Sequence, residues 1–391
     1  MNDRVYLSAR EAAAELGVQP ATLYAYVSRG LIRSVPGPGK QKRYDAEDVR
    51  RFLAQKAEEP VGEGGKGLSG APVLSTRLTM ISDEVGPIYR GQSATVLARS
   101  SSLEAVATLL WGCESDPFHE AAPEAAPNLP EGLDPLSRLT MALAAWPLLD
   151  RAAYTLSPNL LSKKGAALLR YGTAVLLGQA ASNMPIHSQI ANAWGVSGPK
   201  TAILRAALIL SADHELNTSA FTVRCAASTR APLHAALISG LGAFSGPRHG
   251  ASPDRVVAWI SSLQSRDDVE PVLSARLARG EPLPGIGHGV YKHRDPRADC
   301  LLAVLQENAA ETPFVVMLPK VIEVAESLYG DPPNVDFALA AVQQALELPE
   351  HAAKTLFCIG RMVGWIAHAL EQYAAPDKIR PRATYIGERP S

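Results

Sequence analysis

Aromatic residues are scarce in this 391-residue chain, at 6%, so its core must rest on Ala, Leu, Val and Ile. Cysteine is scarcer: Cys113, Cys225, Cys300 and Cys358 lie far apart, with no Cys-x-x-Cys and no paired His/Cys spacing. That pattern disfavours a disulfide framework or a zinc ribbon and makes a reducing cytoplasm the simplest expectation. No run of about 18 uninterrupted apolar residues occurs, so no membrane span is expected. The first residues, Met1 to Tyr6, lack the charged leader and apolar run of a signal peptide. An excess of charge is missing too: 38 Lys+Arg stand against 39 Asp+Glu, a formal charge of −1. A chain that binds nucleic acid through overall basicity is therefore excluded, as is a strongly acidic solvating protein. What is present is apolar: 47% hydrophobic against 20% charged residues, ample for a large core and contrary to global disorder. The length suits two or three domains, or one large domain with an appendage.

The charge is unevenly spread. Residues 1–57 hold ten Lys/Arg and six Asp/Glu, a net of +4, which leaves 28 basic and 33 acidic residues, a net of −5, for the rest. Residues 58–72, with five glycines and two prolines, have the composition of a linker. Within the first segment, Ser8 followed three positions later by Glu11 is a capping-box signature for a helix through Ala12, Ala13 and Leu16. A turn at Gly17 leads to a second helix, 19–29, with Pro20 in its first turn. Residues 31–44 then place Arg33, Lys40, Lys42 and Arg43 around the Pro36-Gly37-Pro38-Gly39 turn, between two extended arms. Asp45 is placed to cap a last helix through Val49, Phe52 and Leu53. Two short helices and a basic wing suit major-groove docking with phosphate contacts from the wing. The phrases LSAREAAAELGVQPATLYAYVSRGLI and KRYDAEDVRRFL resemble the winged helix-turn-helix of MerR-like and excisionase-like modules. A module that docks a protein instead of DNA remains an open alternative.

Beyond the linker the periodicity is mostly helical. Leu356, Ile359, Val363, Ile366 and Leu370 mark a helix over 354–373. Pro199 is expected in the first turn of a helix over 202–211. Helices are also expected over 318–328 and 336–346, with a short hairpin around 78–89.

Several polar islands interrupt this apolar chain: Ser211-Ala-Asp-His-Glu-Leu-Asn217, Ser245-Gly-Pro-Arg-His-Gly250, Pro284-Gly-Ile-Gly-His-Gly-Val-Tyr-Lys-His-Arg-Asp-Pro-Arg297 and Pro333-Asn-Val-Asp336. Glycines around His249 permit a sharp turn and close approach of a ligand. Arg361 is the only formal charge between Thr355 and Leu370, and on such a helix it needs an anion partner. Arg380 and Arg382 flank Pro381 and offer a further fork for carboxylate or phosphate. Each residue also has a plain structural reading: His214 as a core histidine, Asp336 as an N-cap, Arg361 paired with a structural Glu, and Lys292, Arg294 and Arg297 as a solvated face.

The order of these motifs over residues 66–391 resembles the citrate synthase family. GKGLSGAPVLSTRLTMIS and Tyr89-Arg-Gly91 look like its entry segment. SADHELNTSAFTVRCAAST, GPRHG, GIGHGVYKHRDPRAD, PNVDFALAAV and GRMVGWIAHALEQ with IRPRATYIG follow in the family's order. The resemblance implies a mainly α fold, with large and small helical domains preceded by the small winged helix-turn-helix domain. The boundaries are 1–57 for the module, 58–72 for the linker and 73–391 for the synthase-like part, its smaller subdomain at about 252–350. It implies condensation of acetyl-CoA with oxaloacetate to citrate and CoA, with a 2-methylcitrate-forming variant, no metal or cofactor, and a homodimer.

By the same resemblance, Asp336 is the base that removes a methyl proton, His249 donates to the thioester oxygen and His288 polarises the ketone. His214, Asn217, Arg297, Arg361 and Arg380 hold the keto acid, Arg380 reaching the site of the other subunit. Gly285, Gly287, Lys292 and Asn334 lie near CoA. A carboxylate alone cannot deprotonate so weak an acid as a thioester methyl, so donors must stabilise the charge that develops. The chain departs from the family pattern at Arg248, Ile286, Gly289 and Ser211. The competing expectation is a DNA-binding regulator whose synthase-like part senses a CoA thioester or a dicarboxylate.

Overall fold

The computed structural model describes residues 6–16, 18, 23, 26–27, 32–37, 42–46, 48–49, 74–120 and 129–381. Lys40, most of the expected helix at 19–29, Phe52 and Leu53, the linker 58–72 and Arg382 lie outside the described residues. The chain divides into two compact units, Met1–Gly67 and Leu68–Ser391. Residues 252–350 lie within the second unit.

In the first unit, β1 (Tyr6–Ser8) runs into α1 (Ala9–Glu15), and β2 (Ser34–Pro36) pairs antiparallel with β3 (Lys42–Asp45) in the sheet order β1-β3-β2. The capping box is formed: the Ser8 amide donates to Glu11 Oε2 at 2.8 Å, and the Glu11 amide donates to Ser8 Oγ at 3.3 Å. The hydrogen bond from the Ser8 amide holds the Glu11 carboxyl below its ordinary pKa. Ala12, Ala13, Leu16, Leu23, Ile32, Tyr44 and Val49 form the small core. Asp45 Oδ1 accepts the Asp48 amide at 3.3 Å, the capping contact expected there. The pairing Ser34↔Tyr44, Val35↔Arg43 and Pro36↔Lys42 makes the two extended arms of the wing.

The second unit opens with a small antiparallel sheet, β4 (Thr79–Ser82), β5 (Gly86–Tyr89) and β6 (Gln92–Ser93), the hairpin expected at 78–89. Helices follow: α2 (Ala94–Ser100), α3 (Leu103–Trp111), α4 (Pro135–Ala145), α5 (Pro158–Leu177), α6 (Ile186–Trp194), α7 (Thr201–Ser211), α8 (Thr218–Ser228), α9 (Leu233–Phe244), α10 (Ser252–Ile260), α11 (Val269–Ala278), α12 (Pro296–Ala309), α13 (Pro313–Tyr329), α14 (Val335–Ala345) and α15 (Ala352–Ala374). Their limits follow local chemistry. Asp134, Asn217, Asp295 and Asn334 cap α4, α8, α12 and α14 by accepting first-turn amides. Left-handed Gly112, Gly178, Gly195 and Gly330 close α3, α5, α6 and α13. Pro199 lies in a 3-10 turn, Gly198–Lys200, that leads into α7 rather than inside its first α-turn. The helix expected at 318–328 begins earlier, at Pro313, and accommodates Pro319 in its interior. Among the described residues no helix is long and apolar enough to cross a membrane.

Helix α15 runs through the core, and every residue from Ala352 to Ala369 is buried. It meets α7 backbone to backbone at two glycines. A Cβ at Gly360 would stand 2.5 Å from the Leu208 carbonyl oxygen, and one at Gly364 would stand 2.4 Å from that of Ala212. The Gly364 amide donates to Ala212 O at 3.0 Å. This close approach draws Arg361 of α15 up to the chain that leaves α7 toward His214.

Candidate active site

Four helix ends carry the polar islands. His214 follows α7, His249 sits in the turn between α9 and α10, His288 precedes α12, and Asp336 lies in the first turn of α14. The His249 amide donates to Gly246 O at 2.9 Å, and the Ser252 amide donates to His249 O at 2.9 Å. Gly250 is required here, because a Cβ would overlap the Phe244 ring at 2.3 Å. The loop before His288 turns at Gly285 and Gly287, with φ of +88° and +80°, conformations that glycine adopts without strain. Its backbone is stitched to residues 332–334: the Asn334 amide donates to Gly285 O, the Gly287 amide donates to Pro332 O, and Asn334 Nδ2 donates to Gly287 O at 2.7 Å. Asn334, not Asp336, is the N-cap of α14, since its Oδ1 accepts the amides of Asp336 and Phe337.

Each of the three histidines is pinned through one ring nitrogen. His214 Nε2 lies 2.9 Å from Tyr291 Oη. His249 Nε2 lies 2.7 Å from Ser219 Oγ. His288 Nδ1 accepts the backbone amides of Val290 at 3.0 Å and Tyr291 at 3.4 Å. A neutral imidazole has one proton, so acceptance at Nδ1 places the His288 proton on Nε2. Arg297 Nη2 lies 3.2 Å from that Nε2, so two donors converge where an oxygen with free lone pairs is wanted. Burial pushes His249 and His288 down to about 4, helped by Arg361 and Arg297 respectively, and takes His214 well below its ordinary value. All three rings are therefore uncharged donors or acceptors at neutral pH.

Arg297 is itself held by Asp295, which accepts Nε at 2.9 Å and Nη2 at 2.8 Å. Asp295 Oδ2 also accepts the Val335 amide, tying α12 to α14. Burial opposes both charges, and their mutual attraction outweighs it. The Tyr291 ring packs 4.8 Å from His288 and lies under the Arg297 guanidinium at 5.6 Å.

Ser219 is a junction of three groups. Trp365 Nε1 donates to its Oγ at 3.0 Å, Asn217 Oδ1 lies 2.8 Å away, and His249 Nε2 completes the set. The hydroxyl has one proton to give. Asn217 Oδ1 can only accept, so Oγ donates there and its lone pairs face Trp365 Nε1 and His249 Nε2. Asn217, expected to touch substrate, spends its amide inside the chain: Oδ1 also accepts the Ala220 amide, and Nδ2 donates to the carbonyls of His214 and Glu215.

Asp336 is raised to about 6 by burial, against the hydrogen bond from Ser252 and the charges of Arg297 and Arg361. Arg361 is 1% exposed. Its Nε donates to Ser211 O at 2.9 Å, its guanidinium lies 4.9 Å over the Phe357 ring, and its Nη2 is buried without a partner. Among the described residues no Glu pairs with it, and burial draws its pKa down to about 10. Behind it, the wholly buried Asp213 accepts Thr79 Oγ1 at 2.5 Å and lies 3.2 Å from His368 Nε2. A guanidinium with one unused buried edge is a receptor for a carboxylate.

Other expected residues stand apart from this cluster. Lys292 is exposed, with its ammonium 3.7 Å from Asp83. Arg380 is exposed beyond the end of α15. In the first unit, Lys42 and Arg43 are exposed on β3, whereas Arg33 gives its guanidinium to Asp48 at 2.6 and 2.8 Å and lies 3.5 Å from Asp45. The sequence reading missed Tyr291, Ser219, Trp365, Asp213, Asp295, Ser252 and His368. The Asp-Pro-Arg run of 295–297 was a usable signal for the Asp295–Arg297 pair, because Asp two residues before Arg at a helix start both caps and pairs. The others meet the site from distant elements.

Residues 67–382 match the family model described as citrate synthase, C-terminal domain. The chain belongs to the citrate synthase family. Residues 6–57 match a helix-turn-helix domain. The family member called citrate synthase 2 in Bacillus subtilis is 29% identical over 356 residues, covering 82% of this chain and 95% of its own. A 2-methylcitrate synthase of Shewanella oneidensis is 31% identical over 194 residues, 49% of this chain and 52% of that one. The structure of citrate synthase from Thermotoga maritima superposes with a TM-score of 0.68 at 25% identity, covering 83% of this chain and 96% of that chain. The fold is thus the mainly helical one of this family, with a helix-turn-helix domain ahead of it, and the second unit is an enzyme of the citrate synthase type.

Proposed function

We propose that this synthase condenses acetyl-CoA with oxaloacetate, giving citrate and free CoA. The observation that carries the reading is geometric: the His214 and His288 rings lie 5.5 Å apart, His288 Nε2 lies 3.2 Å from Arg297 Nη2, and Asn334 ties the loop before His288 to the first turn of α14, where Asp336 sits. Asp336, ionised above about pH 6, removes a proton from the thioester methyl. His249 donates to the thioester oxygen as charge develops there. The nucleophilic carbon then attacks the ketone, whose oxygen takes the two donors that converge at His288 Nε2 and Arg297 Nη2. Arg361 holds a carboxylate of the keto acid with its unused edge, and Arg380 is supplied by a partner subunit in a homodimer. The CoA chain runs past Gly285, Gly287, Asn334 and Lys292, and water releases CoA from the citryl thioester. No cofactor beyond the thioester substrate takes part, and the protein works in the cytoplasm. Propionyl-CoA, which would give 2-methylcitrate, is the variant to test beside acetyl-CoA.

The test is release of free thiol from each acyl-CoA in the presence of oxaloacetate. Thiol release that depends on oxaloacetate supports the reading. No release from the wild-type protein at high enzyme concentration sinks it.

A second activity concerns the first unit. The match of residues 6–57 to a helix-turn-helix domain, with Lys42 and Arg43 exposed on the wing strand, supports DNA binding through the wing. A gel shift with DNA upstream of its own gene tests it, with and without acetyl-CoA. Binding unaffected by deletion of residues 1–57 counts against it.

A further inference from the structure

We infer that Tyr291 is a positioning residue for the keto acid: its hydroxyl fixes the ring proton of His214 on Nδ1, so that a neutral imidazole donates into the carboxylate subsite. The inference rests on the condensation reading for its substrate and on geometry for its mechanism. His214 Nε2 and Tyr291 Oη are 2.9 Å apart, and among the described residues this is the only hydrogen bond of either side chain. Tyr291 is 5% exposed, so its hydroxyl proton needs an acceptor within the protein. Among the described residues, His214 Nε2 is the one within reach. If the imidazole donated instead, the phenol proton would be buried with no acceptor and His214 Nδ1 would carry a bare lone pair. With the phenol as donor, each proton is used, and Nδ1–H is left free.

The ring is held from several sides. Its centroid is 5.5 Å from the Tyr291 ring and 5.5 Å from the His288 ring, both edge-on. Tyr291 also stacks against His288 and under Arg297. One aromatic ring thus orients two imidazoles and a guanidinium, but its hydroxyl touches only His214. Burial, helped by the cations Arg297 and Arg361, keeps His214 uncharged, so its value to a dianionic substrate lies in the direction of its N–H. That direction depends on a hydroxyl that a phenylalanine lacks.

Tyr291→Phe keeps the ring packing and removes the hydroxyl, so the fold is preserved. It should raise KM and Kd for oxaloacetate about tenfold while leaving kcat within about twofold and KM for acetyl-CoA unchanged. The same change in a His214→Asn background should have no further effect, because the hydroxyl acts only through the imidazole. Two-bond nitrogen–proton NMR spectra of the full chain should show His214 with its proton on Nδ1 in the wild type and a changed tautomer ratio in Tyr291→Phe. That readout needs no turnover, so it separates this inference from the condensation reading: failure of thiol release from the wild type overturns the latter alone. An unchanged His214 tautomer and unchanged oxaloacetate affinity in Tyr291→Phe would overturn the positioning role. An equal rise in KM in the His214→Asn background would also overturn it, since the hydroxyl would then be touching substrate directly.

Discussion

Gly364→Ala tests whether the contact between α15 and α7 sets the position of Arg361. The added methyl would stand 2.4 Å from Ala212 O and 2.5 Å from Asp213 Oδ1. Neither neighbour yields easily: one is backbone, and the other is a buried carboxylate fixed by Thr79 and His368. Ordinary contact lengths require the two helices to part by about 1 Å, which also lengthens the 3.0 Å bond from the Gly364 amide to Ala212 O. Overpacking against rigid neighbours costs about 3 kcal/mol, the upper end of its usual range. The better helix propensity of alanine returns about 1 kcal/mol. A net loss of about 2 kcal/mol lowers Tm by about 3 °C in a unit of this size. Arg361 lies one turn away, and a shift of about 1 Å there should cut kcat/KM about 100-fold. Gly242→Ala on α9 is the control, since a Cβ there meets nothing within 4 Å, and it should melt at or slightly above the wild type. The assay is differential scanning calorimetry with thiol-release kinetics. If Gly364→Ala melts with Gly242→Ala and keeps its kcat/KM, the close contact is not what positions Arg361.

Asp336→Asn should lower kcat by about 10²–10⁴ with circular dichroism unchanged, read by thiol release. Because burial raises the Asp336 carboxyl to about 6, its basic form is lost at a higher pH than for an ordinary carboxylate. Thus kcat/KM should be steady above about 6 and fall tenfold per pH unit below it, and a profile flat from pH 7 to 4.5 would contradict the assignment. Arg361→Lys keeps a charge but loses the planar fork, and should weaken oxaloacetate binding about 100-fold by calorimetric titration. In the first unit, Arg33→Gln should cost stability of about 1 kcal/mol and leave the salt dependence of DNA binding unchanged. Lys42→Ala with Arg43→Ala should lower the salt slope by about 2, as measured by fluorescence anisotropy.

Much of the site was legible because its residue types stand out against an apolar chain. His249 between glycines, His288 in a Gly-x-Gly-His turn and Arg361 alone on a buried helix carry their signal in local contrast. Residues whose roles arise from long-range pairing do not. Ser219 is one hydroxyl in a helix start until Trp365, 146 positions later, points its indole at it. Tyr291 resembles any half-apolar loop residue until His214, 77 positions earlier, lies against it. Arg33 read as a wing cation because sequence shows charge but not the carboxylate of Asp48, 15 residues on, that claims it.

The sequence by itself determined several elements: the capping box of Ser8 and Glu11, the hairpin at 78–89 and the helical period of α15. These depend on φ/ψ preferences and on hydrogen bonds within a few residues, which local chemistry decides. Only the tertiary structure decided protonation and partnership. Burial makes the three imidazoles neutral and raises Asp336, and the packing of α15 on α7 leaves Arg361 with an unpaired edge. Desolvation and the summed field of Arg297, Arg361, Asp295 and Asp213 are properties of the assembled interior. No stretch of chain carries them before α7, α12, α14 and α15 have met.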